Sequence, residues 1–343
     1  MDICTKTDNP MNGKAPVIEF YRYVFMVVLL AWHGGTHFFQ NGYLVVEFFF
    51  ILSGYLLMES YLRKPKTAVQ YTVDKLKRTY VEYFIALCFC FLIWGILINC
   101  YHHTLSIEIV FKFVYEVLLI QDVGIFRGGY NYPMWYFCVL IWGGLLLYYL
   151  INRYKDLSIH LLIPVVSLLV LIYLCRQESF DNFTVCCSVF YIPFMRGIAE
   201  MGVGILLCTF AHSRYNKIQN SVWLDCLSIV ALILTFYLFY TEKNYDKYVF
   251  LTFPLIVFVG MRNHNFLNVI FCRSMWMKLG GITYEMYLIH GALGYIVVRI
   301  MKWLGVNWNL YLFILYAIFI TWAAFIFKAG CQKLQYKLFQ HKG

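Results

Sequence analysis

Two long apolar runs joined by a short polar turn lie near the start of this chain, and they constrain its fold more than any other feature. The runs cover roughly residues 18 to 38 and 42 to 62, and the turn contains Gln40 and Asn41. Each run is about as long as the 20 residues that a helix needs to cross the hydrocarbon core of a bilayer. The sequence therefore predicts a transmembrane helical hairpin.

The whole chain has the composition of a membrane protein. It is 62% hydrophobic, 20% aromatic and 13% charged, with a mean hydropathy of +0.66. A soluble domain of 343 residues cannot bury that much apolar surface. We predict an all-α, polytopic integral membrane protein. The first residues lack a short apolar core with a small-residue cleavage site, so we expect no removable signal peptide, and the first span directs insertion.

Windows of about 20 residues identify ten candidate spans. They cover roughly 18–38, 42–62, 79–99, 132–151, 157–175, 190–210, 222–240, 246–261, 281–301 and 308–330. With the N-terminus inside, 19 of the 28 Lys and Arg residues fall in inner segments and seven in outer segments. This distribution predicts that both termini are cytoplasmic, and it explains the net charge of +10 without nucleic-acid binding.

The predicted organisation is one membrane domain, 18–330, between a short cytoplasmic N-terminus, 1–17, and a cytoplasmic tail, 331–343. Near 105–120, an outer connection carries Glu108, Lys112 and Glu116 at a spacing of four. Residues at this spacing share one helical face, so the pattern predicts an interfacial helix with a solvated charged face.

The 12 cysteines do not indicate a metal or redox site, because most lie in apolar runs and no CxxC pair occurs. Cys100, Cys186 and Cys187 fall in predicted outer loops, and the sequence leaves open whether they pair.

Arg22 and His33 lie within the first span and are separated by ten residues. Helical geometry puts them nearly on one face and about 16 Å apart along the axis, with Arg22 near the cytoplasmic boundary. Ionisable groups at such depths usually face a cavity or a partner. The alternative without a catalytic role is an Arg that snorkels to the membrane interface and a His that is hydrogen-bonded to a neighbouring carbonyl.

Glu47 lies in the second span at a depth that matches His33. A carboxylate on one imidazole nitrogen fixes the tautomer and leaves the other nitrogen free to accept a proton. The alternative is an ion pair that only joins the helices. Ser53 and Gly54, further along the same span, either allow close helix approach or leave room for a ligand.

Five blocks of sequence, in order, resemble the acyltransferase 3 family of bacterial membrane proteins. The first is Arg22, ten residues, His33, followed by GYLVVEFFFILSGYLL. The others are KLKRTYVEYF at 75–84, NYPMWYFCVLIW at 131–142, FMRGIAEMGVGILL at 194–207 and LGGITYEMYLIHG at 279–291. Two positions depart from the family pattern: Val81 stands where a Pro is usual, and Glu47 where an Asp is common.

The resemblance implies ten helices, an acyl-CoA donor in the cytoplasm and an acceptor hydroxyl reached from the other side. It also implies that Arg22 and His33 are essential. We assign His33 as the general base, because a neutral imidazole has a pKa near the operating pH, and Glu47 as its partner. Arg22, Lys75, Lys77 and Arg78 are predicted to bind the donor phosphates, although a basic inner loop also follows from topology alone.

Other polar residues are candidates for substrate binding. Ser53 and Arg196 are two of them, although Arg196 more simply pairs with Glu200 within one helix. His290 either lines the same cavity or is a hydrogen-bonded packing residue. Trp135 and Asn131 suit sugar stacking or an interfacial aromatic belt.

The sequence thus predicts a multi-pass O-acyltransferase of the bacterial cytoplasmic membrane. It moves an acyl group, acetyl by default, from acyl-CoA to a hydroxyl of an extracytoplasmic or lipid-linked carbohydrate, without a metal. Direct transfer and a relay through Ser53 or a Cys both remain open. The alternative function is a secondary transporter or flippase for an envelope precursor, because such proteins also carry intramembrane Arg, His and Glu.

Overall fold

A computed structural model describes most of the chain. The described residues are 15–124, 126, 128–177, 179–181, 185–186, 190–214, 221–262, 265–271 and 274–340. Cys187, one of the outer-loop cysteines, lies outside them. Cys100 is a free thiol at an exposed position.

Thirteen α-helices of at least six residues are numbered in chain order over the described residues. They are α1 Pro16–His33, α2 Val45–Arg63, α3 Ala68–Cys90, α4 Ile107–Val117, α5 Trp135–Arg153, α6 Ile163–Cys175, α7 Ile192–Ser213, α8 Val222–Tyr240, α9 Val249–Gly260, α10 Phe266–Phe271, α11 Ser274–Gly280, α12 Thr283–Trp303 and α13 Leu310–Gln340. A π-helical segment, Phe91–Leu97, continues α3, and another, Ser158–Leu162, precedes α6. The only strands described are β1 Val185–Cys186 and β2 Phe190–Tyr191, which pair antiparallel.

The prediction of an all-α membrane protein is confirmed. Among the described residues, eight helical stretches are long and apolar enough to cross a membrane. The two other predicted spans are helices as well: α9 has 12 residues, and α12 carries Glu285, His290 and Arg299 within its length. We call the end of the bundle with most basic residues the inner end and the opposite end the outer end.

Local sequence explains where several helices begin. Pro16 and Pro193 lie in the first turns of α1 and α7, where a missing N–H costs no helical hydrogen bond. The Thr67 side chain accepts from the Gln70 N–H, and the Gln70 side chain accepts from the Thr67 N–H. This capping box fixes the start of α3 directly after the inner loop that follows α2.

The centre of the bundle is the contact between α2 and α7. A Cβ atom on Gly54 would collide with the backbone of Met201, and one on Gly204 would collide with the backbone of Ile51. The two helices therefore approach backbone to backbone, as small residues permit in membrane proteins. Of the two possibilities predicted for Gly54, close helix approach is the one observed.

Candidate functional site

Two histidines from opposite ends of the sequence meet at the outer half of the bundle. His33 is the last residue of α1, and His290 lies in the middle of α12. Their rings stack with centroids 4.8 Å apart, and His290 Nε2 lies 2.7 Å from His33 Nδ1. His290 is 1% exposed, whereas His33 is half-buried. His290 is therefore the direct partner of the predicted base.

The surrounding hydrogen bonds determine which nitrogen carries each proton. His290 Nδ1 lies 2.7 Å from the carbonyl oxygen of Tyr287, and a carbonyl can only accept. His290 Nδ1 is thus the donor, and in the neutral ring Nε2 becomes the acceptor. His33 must then donate from Nδ1. The unprotonated nitrogen of His33 is Nε2, and within the described part of the chain no hydrogen bond occupies it.

The segment that precedes α5 holds this pair in position. Asn131 Nδ2 donates to the carbonyl oxygen of Leu288 at 3.0 Å, and the Tyr287 hydroxyl donates to the carbonyl oxygen of Pro133. The Tyr132 ring stands edge-on to the His33 ring, with 5.2 Å between centroids and an interplanar angle of 84°. Asn131, predicted to bind sugar, instead bonds the backbone of the helix that carries His290.

The predicted contact between Glu47 and His33 is wrong. The Glu47 carboxylate accepts from Nε of Arg196 at 2.9 Å and from the second guanidinium nitrogen, so it makes a bidentate pair with α7. Glu200 lies 3.4 Å from the same Nε. A buried guanidinium outcompetes a neutral imidazole for a carboxylate, because an unpaired buried charge is very costly. The structure shows the alternative that was given for Glu47, an ion pair that joins two helices.

Arg196 completes this buried charge cluster, which contains Glu47, Arg196 and Glu200. All three side chains are at most 3% exposed. Arg196 also donates to the carbonyl oxygen of Phe180 at 2.6 Å, and its guanidinium carbon lies 5.7 Å from the Trp135 ring centroid. The cluster ties α2 and α7 to the outer connection at Phe180. The three charged side chains of the cluster pair with one another. Such pairing is typical of a structural role for Arg196 and for Trp135 beside it.

Ser53 is connected to the histidine pair by a series of contacts through two tyrosines. Its hydroxyl lies 3.1 Å from the hydroxyl of Tyr136, and the Tyr136 ring meets the Tyr287 ring in a T-shaped contact at 5.7 Å. The Tyr287 ring in turn lies 5.5 Å from the His290 ring. A row of hydroxyl and imidazole groups therefore runs from the middle of α2 towards His33.

The predicted donor cations occupy two separate locations at the inner end. Arg22 bonds both carboxylate oxygens of Glu19, at 3.0 and 2.9 Å, and its side chain is 28% exposed. Lys75, Lys77 and Arg78 lie on α3, where Arg78 Nε donates to the backbone carbonyl of Asp74 at 3.1 Å. In the part of the chain that the structure describes, no hydrogen bond or ion pair joins Arg22 to these three residues.

Lys75 and the two other α3 cations differ in exposure. Lys77 and Arg78 are exposed, whereas Lys75 is half-buried with Nζ 5.9 Å from the Tyr71 ring centroid. In the part of the chain that the structure describes, none of these three cations forms an ion pair with a carboxylate as Arg196 does, so they remain available to an anionic ligand.

Glu116 was predicted to lie on a solvated face, and this is wrong. A helix, α4, is present where the interfacial helix was predicted, but Glu116 near its end is 0% exposed. Its carboxylate accepts from the backbone N–H groups of Tyr130 and Asn131, the latter at 3.1 Å. Burial raises the pKa of Glu116 to about 7, although these two hydrogen bonds act in the opposite direction. Glu116 thus anchors the segment that carries Asn131 and Tyr132.

Sequence reasoning missed Tyr132, Tyr136 and Glu116 as parts of the site. Tyr132 and Tyr136 lie within the NYPMWYF block that carries the family resemblance, and their neighbours Asn131 and Trp135 were chosen for their more familiar sugar chemistry. Glu116 had no such signal, because a carboxylate that accepts backbone N–H groups across a loop looks the same in sequence as one in water.

The fold and the site together define a polytopic membrane protein with a hydrogen-bonded histidine pair near one end of the bundle and a group of cations at the other. A family model described as an acyltransferase domain matches residues 16–329, nearly the whole chain. The chain therefore belongs to the acyltransferase 3 family and is a membrane acyltransferase for groups other than aminoacyl groups. No curated protein and no solved structure matches the chain.

Proposed function

We propose that this acyltransferase moves an acyl group, acetyl by default, from cytoplasmic acyl-CoA to a hydroxyl of an extracytoplasmic or lipid-linked carbohydrate, with His33 as general base. The site of action is the cytoplasmic membrane of a bacterial cell. The observation that carries the proposal is the hydrogen-bond chain from the Tyr287 carbonyl through His290 to His33, because it leaves Nε2 of His33 unprotonated.

The chemistry follows from this tautomer. Nε2 of His33 takes the proton of the acceptor hydroxyl as the oxygen attacks the thioester carbonyl carbon. The tetrahedral intermediate then collapses, the carbon–sulfur bond breaks, and the coenzyme A thiolate takes the proton back from the imidazolium. His290 stabilises the imidazolium, because it continues to accept from His33 Nδ1 throughout. The products are the O-acyl ester and free coenzyme A.

Arg22 supports a donor that approaches from the inner end. It lies eleven residues before His33 on the same helix, which corresponds to about 16 Å. A guanidinium that is 28% exposed has donors left for a phosphate, while a thin pantetheine arm extends towards the histidines. Lys75 and Arg78, on α3, supply further positive charge at the same end.

Direct transfer is favoured over an acyl-enzyme relay through Ser53. The Ser53 hydroxyl bonds Tyr136 at 3.1 Å, and a tyrosine hydroxyl is a poor base at neutral pH. An activated nucleophile needs its base within hydrogen-bond reach, and among the described residues no imidazole forms a hydrogen bond with Ser53.

Purified protein in lipid nanodiscs, radiolabelled acetyl-CoA and envelope polysaccharide stripped of its esters by mild alkali test the proposal. Free coenzyme A is quantified by chromatography, because the 12 cysteines would react with a thiol reagent. We expect label in the polysaccharide with the wild type and a loss of at least about 100-fold with His33→Ala. His212→Ala, a histidine at the inner end of α7, is the matched control. Transfer by His33→Ala at near the wild-type rate would remove His33 as the base.

A further inference from the structure

A cavity of about 570 Å³ opens at the outer end of the bundle, between the π-helical segment that continues α3, helix α4 and the segment before α5. Its volume is within the range of small-molecule sites, roughly 300 to 1,000 Å³. Trp94, Ser106, Lys112, Tyr130 and Tyr132 contribute to its lining. Neither the charge cluster around Arg196 nor the inner cations take part in it.

The wall formed by Trp94 is held in a defined shape. Trp94 lies within the π-helical segment Phe91–Leu97, and π-helical turns leave backbone carbonyls without regular partners and recur at functional sites. Asn99 Nδ2 donates to the carbonyl oxygens of Trp94 at 2.6 Å and Gly95 at 3.2 Å, and Thr104 donates to Asn99 Oδ1 at 2.8 Å. Side chains thus satisfy the irregular backbone, so that the widened turn persists.

The lining combines aromatic rings with polar groups of both kinds. Trp94, Tyr130 and Tyr132 offer ring faces and edges, Lys112 and Ser106 offer donors, and Glu108 offers an acceptor. Lys112 Nζ lies 4.9 Å from the Tyr130 ring centroid. Carbohydrates present apolar C–H faces alongside hydroxyls that both donate and accept, so this mixture matches their chemistry better than that of a lipid tail or a bare anion.

Tyr132 connects the cavity to the proposed base. It lines the cavity and is 45% exposed, while its ring stands edge-on to His33 at 5.2 Å between centroids. The adjacent residues Tyr130 and Asn131 are fixed through their backbone N–H groups by Glu116. A molecule seated in the cavity is therefore one aromatic ring away from His33.

We propose that this outer cavity binds the carbohydrate acceptor, with Trp94 as a stacking platform and Tyr132 as the boundary that directs one hydroxyl towards His33. The inference rests on the proposed function, since it assigns the acceptor site of the same reaction. It adds helix α4 and the π-helical segment that continues α3 to the substrate-binding surface.

The test measures KM for the de-esterified polysaccharide and for acetyl-CoA separately, on wild-type protein and two variants in nanodiscs. Trp94→Ala removes the platform. Ser106→Trp fills the cavity from the start of α4, where the Ser106 side chain makes no capping hydrogen bond. Trp303→Ala, at an 84% exposed position at the end of α12, is the matched control.

We expect the polysaccharide KM to rise about three- to tenfold in Trp94→Ala. Ser106→Trp should raise it further, and the rise in both variants should exceed any change in the acetyl-CoA KM. An unchanged polysaccharide KM in both variants, with active wild-type protein, would overturn the acceptor site and leave the proposed function standing. A rise only in the acetyl-CoA KM would also overturn it, by assigning the cavity to the donor. Absence of transfer by the wild type would instead refute the proposed function.

Discussion

The hydrogen bond between His33 and His290 offers the sharpest test of the proposed role of His33 as general base. His290→Phe keeps an aromatic ring of similar size but removes the acceptor for His33 Nδ1–H. His290→Gln retains an acceptor, because the side-chain oxygen of Gln extends about as far from the backbone as Nε2 of His. If His290 acts by orienting His33, these two substitutions should differ strongly although both remove the imidazole.

The size of the effect follows from burial. His290 is 1% exposed and the bond is 2.7 Å long, so an unpartnered donor of His33 is not compensated by bulk water. Leaving a buried donor unsatisfied costs about 1 to 3 kcal/mol. If that cost is expressed in the transition state, kcat falls about 5- to 150-fold in His290→Phe. His290→Gln should stay within about tenfold of wild type, since one neutral hydrogen bond is replaced by another.

The assay is single-turnover transfer of labelled acetyl groups to de-esterified polysaccharide, with coenzyme A release followed in parallel. His212→Phe is the matched control, because His212 bonds a backbone carbonyl of its own helix at 3.0 Å and lies far along α7 from the site. Equal activity of His290→Phe and wild type would refute the orienting role. So would equal losses in His290→Phe and His290→Gln, because a packing role does not distinguish the variants by their acceptor atom.

Three further predictions concern the rest of the molecule. Arg22→Ala should raise the KM for acetyl-CoA about 10- to 150-fold, which corresponds to the loss of a charged hydrogen bond to phosphate. Arg153→Ala is an exposed control. An unchanged KM with intact turnover would remove Arg22 from the donor site. Glu47→Ala should destabilise the protein by about 3 to 5 kcal/mol, because it leaves Arg196 with a broken bidentate pair. Glu200→Gln should destabilise it far less, since it removes only one of two carboxylates that face a single cation. Equal losses of thermal stability in detergent would contradict this charge balance. Burial raises the pKa of Glu116 from 4.5 to about 7, so the folded state binds the carboxyl proton more tightly than the unfolded state. The stability associated with this proton, about 3 kcal/mol, is lost as the pH rises through about 7. The Tm of wild-type protein should therefore fall between pH 5 and 8 more steeply than that of Glu116→Gln, and parallel Tm curves would be inconsistent with a buried carboxyl.

Sequence patterns predicted the helices well because a bilayer imposes length and hydropathy on each span separately. They predicted less of the site, because partner choice depends on which helices are neighbours. Glu47 and His33 have matching depths in consecutive helices, yet Arg196, 149 residues further along the chain, takes the carboxylate. His290, 257 residues from His33, takes the imidazole. Depth along a helix therefore does not identify the partner of a side chain, whereas the packing of α7 and α12 does.

The position of Glu116 connects the two halves of the proposed reaction. Its carboxylate holds the backbone of Tyr130 and Asn131, and the Asn131 side chain holds the carbonyl oxygen of Leu288, two residues before His290. The same segment presents Tyr132 to both the outer cavity and His33. A change at α4 therefore affects the outer cavity and the histidine pair through one short stretch of backbone. Helix α4 therefore helps to position the proposed base, because the tautomer that leaves His33 Nε2 unprotonated depends on where that stretch holds α12.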